Sequence, residues 1–354
     1  MSTDLAGFYR GRSVLVTGHT GFKGTWLVQW LTRLGAQVTG YALEPHSSPN
    51  LFTLVGTAAR CRHVVGDLLD RQRVAELIRE AQPTVVFHLA AQALVRRSHQ
   101  TPVETFGVNV MGTAHVLEAC RETASVRAIV GVTTDKCYEN LEQLWPYREV
   151  DRLGGRDPYS ASKAAAELVI ASFRDSFFRE RGVGVASARA GNVIGGGDWA
   201  EDRLVPDLVR GASRGDTVAI RNPTATRPWQ HVLDPLHGYL LLGERLTEEP
   251  ARFGEAWNFG PASLPVDVGT VSTRFIELLG RGSVSLTDKP KGDHPHEAHL
   301  LAVDSTKAIV RLGWRPRLEL DRALEFTAVW YRAHLEARAT EASLLNAQID
   351  AYGA

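Results

Sequence analysis

A chain of 354 residues, 44% of them hydrophobic, can bury one large core or two joined ones without a disulfide or metal staple. Its 40 basic and 40 acidic side chains cancel, which excludes a global field for nucleic acid or an anionic membrane and leaves any phosphate binding to local sites. Cys61, Cys120 and Cys137 are an odd, widely spaced set without a CxxC pair, no run of ~18 apolar residues occurs, and the opening MSTDLAGFYRGRSVLV has no cleavable apolar segment, so a cytoplasmic protein is expected.

Ser13 to Thr17 (SVLVT) reads as a strand closed by a glycine-rich turn, GHTGFKG from Gly18 to Gly24, after which Trp26, Leu27, Trp30 and Leu31 recur at helical spacing. Glycines let a backbone approach a pyrophosphate, and the helix start that follows offers unpaired N–H groups; a plain tight turn is the bland alternative. Gln37 to Ala42 is the second strand, with Glu44 near its end as a candidate for the adenosine ribose hydroxyls. Residues 45–57 look irregular. Arg62 to Val65 is the third strand, followed by Gly66, Asp67 and Leu68, and the spacing predicts a helix from Arg71 to Ala81. Thr84 to His88 is the fourth strand, running into Leu89, Ala90, Ala91 and Gln92, small enough to let a flat ligand lie against the backbone. Thr101-Pro102 opens a long helix to about Ala124. Strand and helix alternate through five strands, so a parallel, doubly wound sheet is expected.

The fifth strand, Val126 to Val132, ends at Thr134, Asp135 and Lys136, where open α/β sheets place their ligands. Tyr159 and Lys163 then stand one turn apart on a helix, close enough for the ammonium to act on the phenol. Bringing a tyrosine from pKa ~10 to ~7 needs about 4 kcal/mol of selective phenolate stabilisation, and a nearby cation is the usual source. Val183 to Ala188 is the sixth strand, beyond which the alternation stops at the glycine-rich RAGNVIGGGD stretch ending at Asp198. That seam divides a sheet domain, 1–190, from a smaller portion, 191–354, some of whose segments return to the sheet. The latter carries Arg203, Arg210, Arg221, the RPWQHVLD run from Arg227 to Asp234, strand-like Ala256 to Gly260, three histidines at 294, 296 and 299, and a closing helix from about Leu320 to Ala337.

The phrases GHTGFKG, HLAAQ, VNVMGT, TTDKCYEN, DPYSASK, AGNVIGGGDW, RPWQHVLDPL and HPHEAH, in that order, resemble the extended short-chain dehydrogenase/reductases and, within them, the CDP-glucose 4,6-dehydratase family. The resemblance spans nearly the whole chain. It implies a Rossmann-like fold, a homodimer or dimer of dimers, and NAD held by Gly18, Thr20, Gly21, Phe22, Lys23, Gly24, Asp67, Leu68, Leu89, Ala90 and Ala91 together with Tyr159 and Lys163. Asp135-Lys136 stands where other nucleotide-sugar dehydratases commonly carry Asp-Glu, which favours the CDP-linked branch and CDP-glucose as substrate. In the mechanism so implied, Tyr159 takes the 4-hydroxyl proton, Thr134 hydrogen-bonds that hydroxyl, Lys136 removes the C5 proton and Asp135 protonates the departing 6-hydroxyl. This demands a neutral Lys136 and a protonated Asp135, which partial burial favours. Asn192, Arg203, Arg227 and His296 are the substrate candidates, since guanidinium groups match phosphate oxygens, and Trp199 or Trp229 could stack on cytosine or simply belong to the core. No metal is expected: His294, His296 and His299 lack cysteine or carboxylate partners at ligand spacing. The rivals are another NAD-dependent nucleotide-sugar enzyme, such as a 4-epimerase or a dehydratase of a different nucleotide sugar, and a catalytically silent dinucleotide sensor.

Overall fold

The computed structural model describes residues 4–286 and 299–353. Seven strands form one parallel sheet: β1 (Ser13–Thr17), β2 (Gln37–Ala42), β3 (Arg62–Val65), β4 (Val85–His88), β5 (Ala128–Val132), β6 (Gly184–Arg189) and β7 (Ala256–Asn258), in the spatial order β7-β6-β5-β4-β1-β2-β3. The chain order reverses between β1 and β4, and such a switch point opens the crevice in which this class of sheet binds ligands. Both faces are covered. Helices Phe22–Arg33 and Leu233–Glu248 pack on one face with Trp26, Trp30 and Tyr239 fully buried, while Arg71–Ala81, Gly112–Arg121 and Pro158–Phe173 cover the other through Leu77, Val116 and Ile170. Burial on both faces is why β1, β4 and β5 read as continuous apolar runs rather than alternating ones.

The strand-like segment at Ala256 returns to the sheet: Ala256–Asn258 pairs parallel with β6, reached through the Leu233–Glu248 crossover, so the second half of the chain completes the sheet. Two expectations are corrected. The long helix after Thr101 is interrupted by a π-helical turn, Gly107–Met111, between Pro102–Phe106 and Gly112–Arg121. Segment 45–57 contains the short helix Leu51–Leu54, capped by the Asn50 side chain on Thr53 N at 2.9 Å. A further helix, Glu341–Tyr352, follows the expected closing helix, which ends at Leu335. No helix of the described residues is long and apolar enough to cross a membrane.

Candidate active site

The glycine-rich turn is shaped by close approach. Gly18 has φ +74°, and a Cβ there would lie 2.6 Å from Ala90 N; a Cβ at Gly24 would lie 2.1 Å from the Gly18 carbonyl oxygen. Neither position has room for a side chain. At Gly21, by contrast, a Cβ would meet only Gly18 O, at 3.3 Å, so the outer side of the loop is open. Gly21 also caps the Phe22–Arg33 helix without any side-chain hydrogen bond. The first-turn N–H groups and the helix dipole are therefore available to a phosphate, and these residues fit a dinucleotide. Leu89 and Ala90 line the adjacent strand end, where Ala90 N donates to Thr17 Oγ1 at 3.2 Å. Asp67 stands beyond β3 with Oδ1 accepting from Leu69 N at 2.9 Å, and Leu68 beside it is buried. Glu44 is exposed, two residues past the end of β2.

Beyond β5 the chain turns sharply through Asp135–Cys137, with Thr134 as cap: its Oγ1 accepts from Lys136 N at 3.3 Å and donates to Asp135 Oδ1 at 3.0 Å. The helix carrying Tyr159 and Lys163 starts at Pro158 because Asp157 caps it, accepting from Ser160 N at 2.9 Å and Ser160 Oγ at 2.6 Å. That start sets the Tyr159 phenol within reach of the Thr134 hydroxyl. Burial pushes the Tyr159 phenol up to about 12, opposed by the Thr134 hydrogen bond. This corrects the expectation of a phenol depressed by Lys163. The lysine Nζ instead donates to the Val132 carbonyl at 2.9 Å, and burial draws its own pKa down to about 8.

Asp135 is 1% exposed, and burial raises its carboxyl pKa against the opposing charge of Lys136. The backbone of Gly191 lies directly behind it: a Cβ at 191 would sit 1.7 Å from Asp135 Oδ2. Lys136 is half-buried. Lys23, from the glycine-rich loop, feels the charges of Arg203, Asp135 and Lys163, and burial lowers its pKa to about 8. Arg203 is bonded to Asp198 at 2.9 Å, and that carboxylate raises its pKa. Arg227 is buried within the field of Asp135, its Nη1 donating to Thr226 O at 2.8 Å. Asn192 takes a left-handed conformation, φ 45°, and its carbonyl accepts from Gln230 N at 3.3 Å. Thus Lys23, Thr134, Asp135, Lys136, Tyr159, Lys163, Arg203 and Arg227 are electrostatic neighbours near the strand ends.

Burial decides between the two readings of the tryptophans. Trp199 packs edge-on against Tyr331 at 5.4 Å, and the Trp229 indole donates to Val266 O at 2.9 Å, so both belong to the core rather than to an open stacking face. His294 and His296 lie outside the described residues; among the described residues no cluster of metal-ligating side chains occurs. Sequence reasoning missed what stands behind the site. Glu167, one turn past Lys163, accepts from Ser187 Oγ at 2.6 Å and from Arg189 Nη2 at 2.7 Å, and also from Thr133 Oγ1. Arg189 continues to Tyr138 OH at 2.8 Å, and Tyr138 to Asn258 Oδ1 at 2.7 Å. The i+4 step from Lys163 to Glu167 was the available signal.

A seven-stranded parallel sheet with a glycine-rich first turn and a Tyr-xxx-Lys helix beside the switch point defines an extended short-chain dehydrogenase/reductase. The chain belongs to the GDP-mannose 4,6-dehydratase family, whose model matches residues 15–327. It is 48% identical, over 92% of its own length and 92% of the relative's, to the CDP-glucose 4,6-dehydratase of Salmonella typhimurium. Among solved structures it is similar to a dTDP-glucose 4,6-dehydratase of Streptomyces venezuelae with NAD bound: TM-score 0.77, 26% identity, covering 92% of this chain and 98% of that one. It is also similar to a UDP-glucose 4-epimerase of Brucella ovis in complex with NAD: TM-score 0.77, 25% identity, covering 92% and 98%.

Proposed function

We propose that the protein dehydrates CDP-glucose to CDP-4-dehydro-6-deoxyglucose. The observation that carries the reading is Asp135. A carboxyl 1% exposed, in the field of Tyr159 and with its pKa raised by burial, is biased toward the protonated form that departure of a 6-hydroxyl requires, whereas an epimerase has no use for such an acid. Bound NAD supplies the hydride acceptor for C4 and the donor that later serves C6. Tyr159 removes the 4-hydroxyl proton, with Thr134 bonded to the same hydroxyl and Lys163 orienting the cofactor ribose. The 4-ketone makes the C5 hydrogen acidic, Lys136 takes it, and Asp135 protonates the leaving hydroxide, so that water is lost across C5 and C6. Lys136 then returns the proton to C5.

In this reading the sheet portion, 1–190, holds NAD through Gly18, Thr20, Gly21, Phe22, Lys23, Gly24, Asp67, Leu68, Leu89, Ala90 and Ala91. Portion 191–354 holds the nucleotide sugar, with Arg203 and Arg227 toward the diphosphate and Asn192 and His296 as further substrate candidates. The outer faces of Pro102–Phe106 and Pro158–Phe173 leave Val103, Phe106 and Leu168 exposed, which supports pairing of two copies through these helices, in the cytoplasm. Three experiments test the function. Turnover should be greatest on CDP-glucose when CDP-, dTDP-, UDP- and GDP-glucose are compared by their alkali-absorbing ketosugar. Deuterium placed at C4 should appear at C6 of the product; its absence there, or formation of the 4-epimer, refutes the reading. Tyr159→Phe should abolish turnover and leave NAD binding intact.

A further inference from the structure

We propose that the Glu167–Arg189 ion pair is a positioning device that clamps the Asp135–Cys137 turn from both ends and so sets where Asp135 and Lys136 stand toward the sugar. The inference rests on the dehydration reading above, which gives those two side chains the elimination of water. Glu167 and Arg189 are themselves buried and act through the turn rather than on the sugar.

The pair reaches the residues on either side of the turn and its Thr134 cap. Thr133, just before the cap, donates from Oγ1 to Glu167 Oε1, and its N–H donates to Ala188 O at 2.9 Å. Tyr138, just after the turn, accepts at its hydroxyl from Arg189 Nη1 at 2.8 Å and donates onward to Asn258 Oδ1 at 2.7 Å. The Asn258 amide is held in that orientation, because its Nδ2 donates to Tyr147 O at 2.9 Å and to Asp304 O at 3.1 Å. Between the two prongs, Arg189 Nη2 meets Glu167 Oε2 at 2.7 Å, and Ser187 Oγ donates to the same oxygen at 2.6 Å.

The clamp also fixes the turn relative to Tyr159. Glu167 lies about two turns along the helix that carries Tyr159, and Lys163, one turn from each, donates to Val132 O at 2.9 Å. One helix therefore holds both the last residue of β5 and the residue that follows it. Burial alone would raise the Glu167 carboxyl, but the Arg189 charge and the bonds from Arg189, Ser187 and Thr133 outweigh it and keep the group below the ordinary carboxylate range. An ionised carboxylate has acceptor sites for all three donors, and bonds to a charged acceptor are shorter and stronger than neutral ones. Oxidation at C4 draws on this turn only through Thr134, whereas elimination draws on it for both its acid and its base. Loosening the turn should therefore separate the two steps.

Thr133→Val and Tyr138→Phe each cut one prong and keep the shape, while Thr133→Ser keeps the prong. Ser187→Ala removes a bond to the same carboxylate that does not lead to the turn. NAD-loaded enzyme in excess is mixed with CDP-glucose, and nicotinamide absorbance is followed beside ketosugar formation. In Thr133→Val and Tyr138→Phe the NADH signal should rise within about threefold of the wild-type rate and then persist, with ketosugar forming at least ~10-fold more slowly. Thr133→Ser and Ser187→Ala should match wild type in both readouts. Tyr138→Phe decides alone if Thr133→Val does not fold. Oxidation and elimination slowed together in either prong variant, or neither slowed, overturns the clamp and leaves the pair as core structure. So does a serine variant that fails to restore turnover, or a Ser187→Ala variant that behaves like the prong variants. A wild-type enzyme that yields no ketosugar from CDP-glucose overturns the dehydration reading itself, and the clamp with it.

Discussion

Replacement of Gly191 by alanine tests how closely the position of Asp135 is set. The added Cβ would lie 1.7 Å from Asp135 Oδ2 and 2.0 Å from its Cγ, where real contacts stay above 3.0 Å. The backbone cannot easily give way, because the Gly191 carbonyl is tied to Gln230 and Phe259 N is tied to Arg189 O at 2.8 Å. The carboxyl must therefore move by more than ~1 Å, breaking its contact with Thr134. Misplacing a reacting group by ~1 Å costs about 10²-fold, equivalent to ~2.7 kcal/mol in the barrier. Steady-state ketosugar formation by Gly191→Ala should thus fall about 10²-fold. Oxidation at C4 does not use the Asp135 proton, so the nicotinamide absorbance that rises when enzyme in excess meets substrate should still appear, and now persist. A variant that folds normally and turns over within about threefold of wild type would show that Asp135 is not where its chemistry is decided.

The remaining predictions concern the frame around this site. Glu167→Leu leaves Arg189 buried without its carboxylate, both side chains being under 5% exposed in the 2.7 Å pair, and should lower stability by about 3–5 kcal/mol in urea unfolding; adding Arg189→Met should recover much of it, and a loss under about 1 kcal/mol would refute the ion-pair account. Gly18→Ala should abolish NAD retention on gel filtration while far-UV dichroism is unchanged, since φ +74° and the 2.6 Å approach to Ala90 N both oppose a side chain. His231 is buried and its pKa falls to about 3 through burial. The folded state therefore refuses a proton that the unfolded state accepts below pH ~6.5, so its contribution is present above that pH and fades as pH falls. Between pH ~6.5 and ~5 wild type should lose about 2 kcal/mol from this group, and His231→Asn should show a correspondingly flatter acid limb in chemical unfolding.

Much of the sheet could be read from the chain because parallel strands buried on both faces are short apolar runs with polar ends. SVLVT and QVTGYA coincide with β1 and β2 residue for residue, and RHVV with β3, although that edge strand is only partly buried. β7 was harder, since a three-residue strand, Ala256–Asn258, gains its place only from pairing with β6, which local pattern does not encode. The π-helical turn at Gly107–Met111 has no periodic signature; within it the Asn109 side chain accepts from Gln92 N at 2.9 Å and donates to Ser162 Oγ at 2.9 Å.

The same division runs through the site. Which side chains are candidates for the chemistry was legible from residue type and local spacing: a glycine turn before a helix, Thr134 to Lys136 at a strand end, and Tyr159 with Lys163 one turn apart. These depend on neighbours in the chain, so the sequence alone determined them. The protonation tendencies did not follow from sequence, because burial depends on everything packed around a group. Only the folded chain set the backbone of Gly191 behind Asp135, turned Lys163 to the Val132 carbonyl, raised the Tyr159 pKa instead of lowering it, and placed two tryptophans in the core. Spacing selects chemical groups, and the low-dielectric surroundings assembled from distant segments decide their charge.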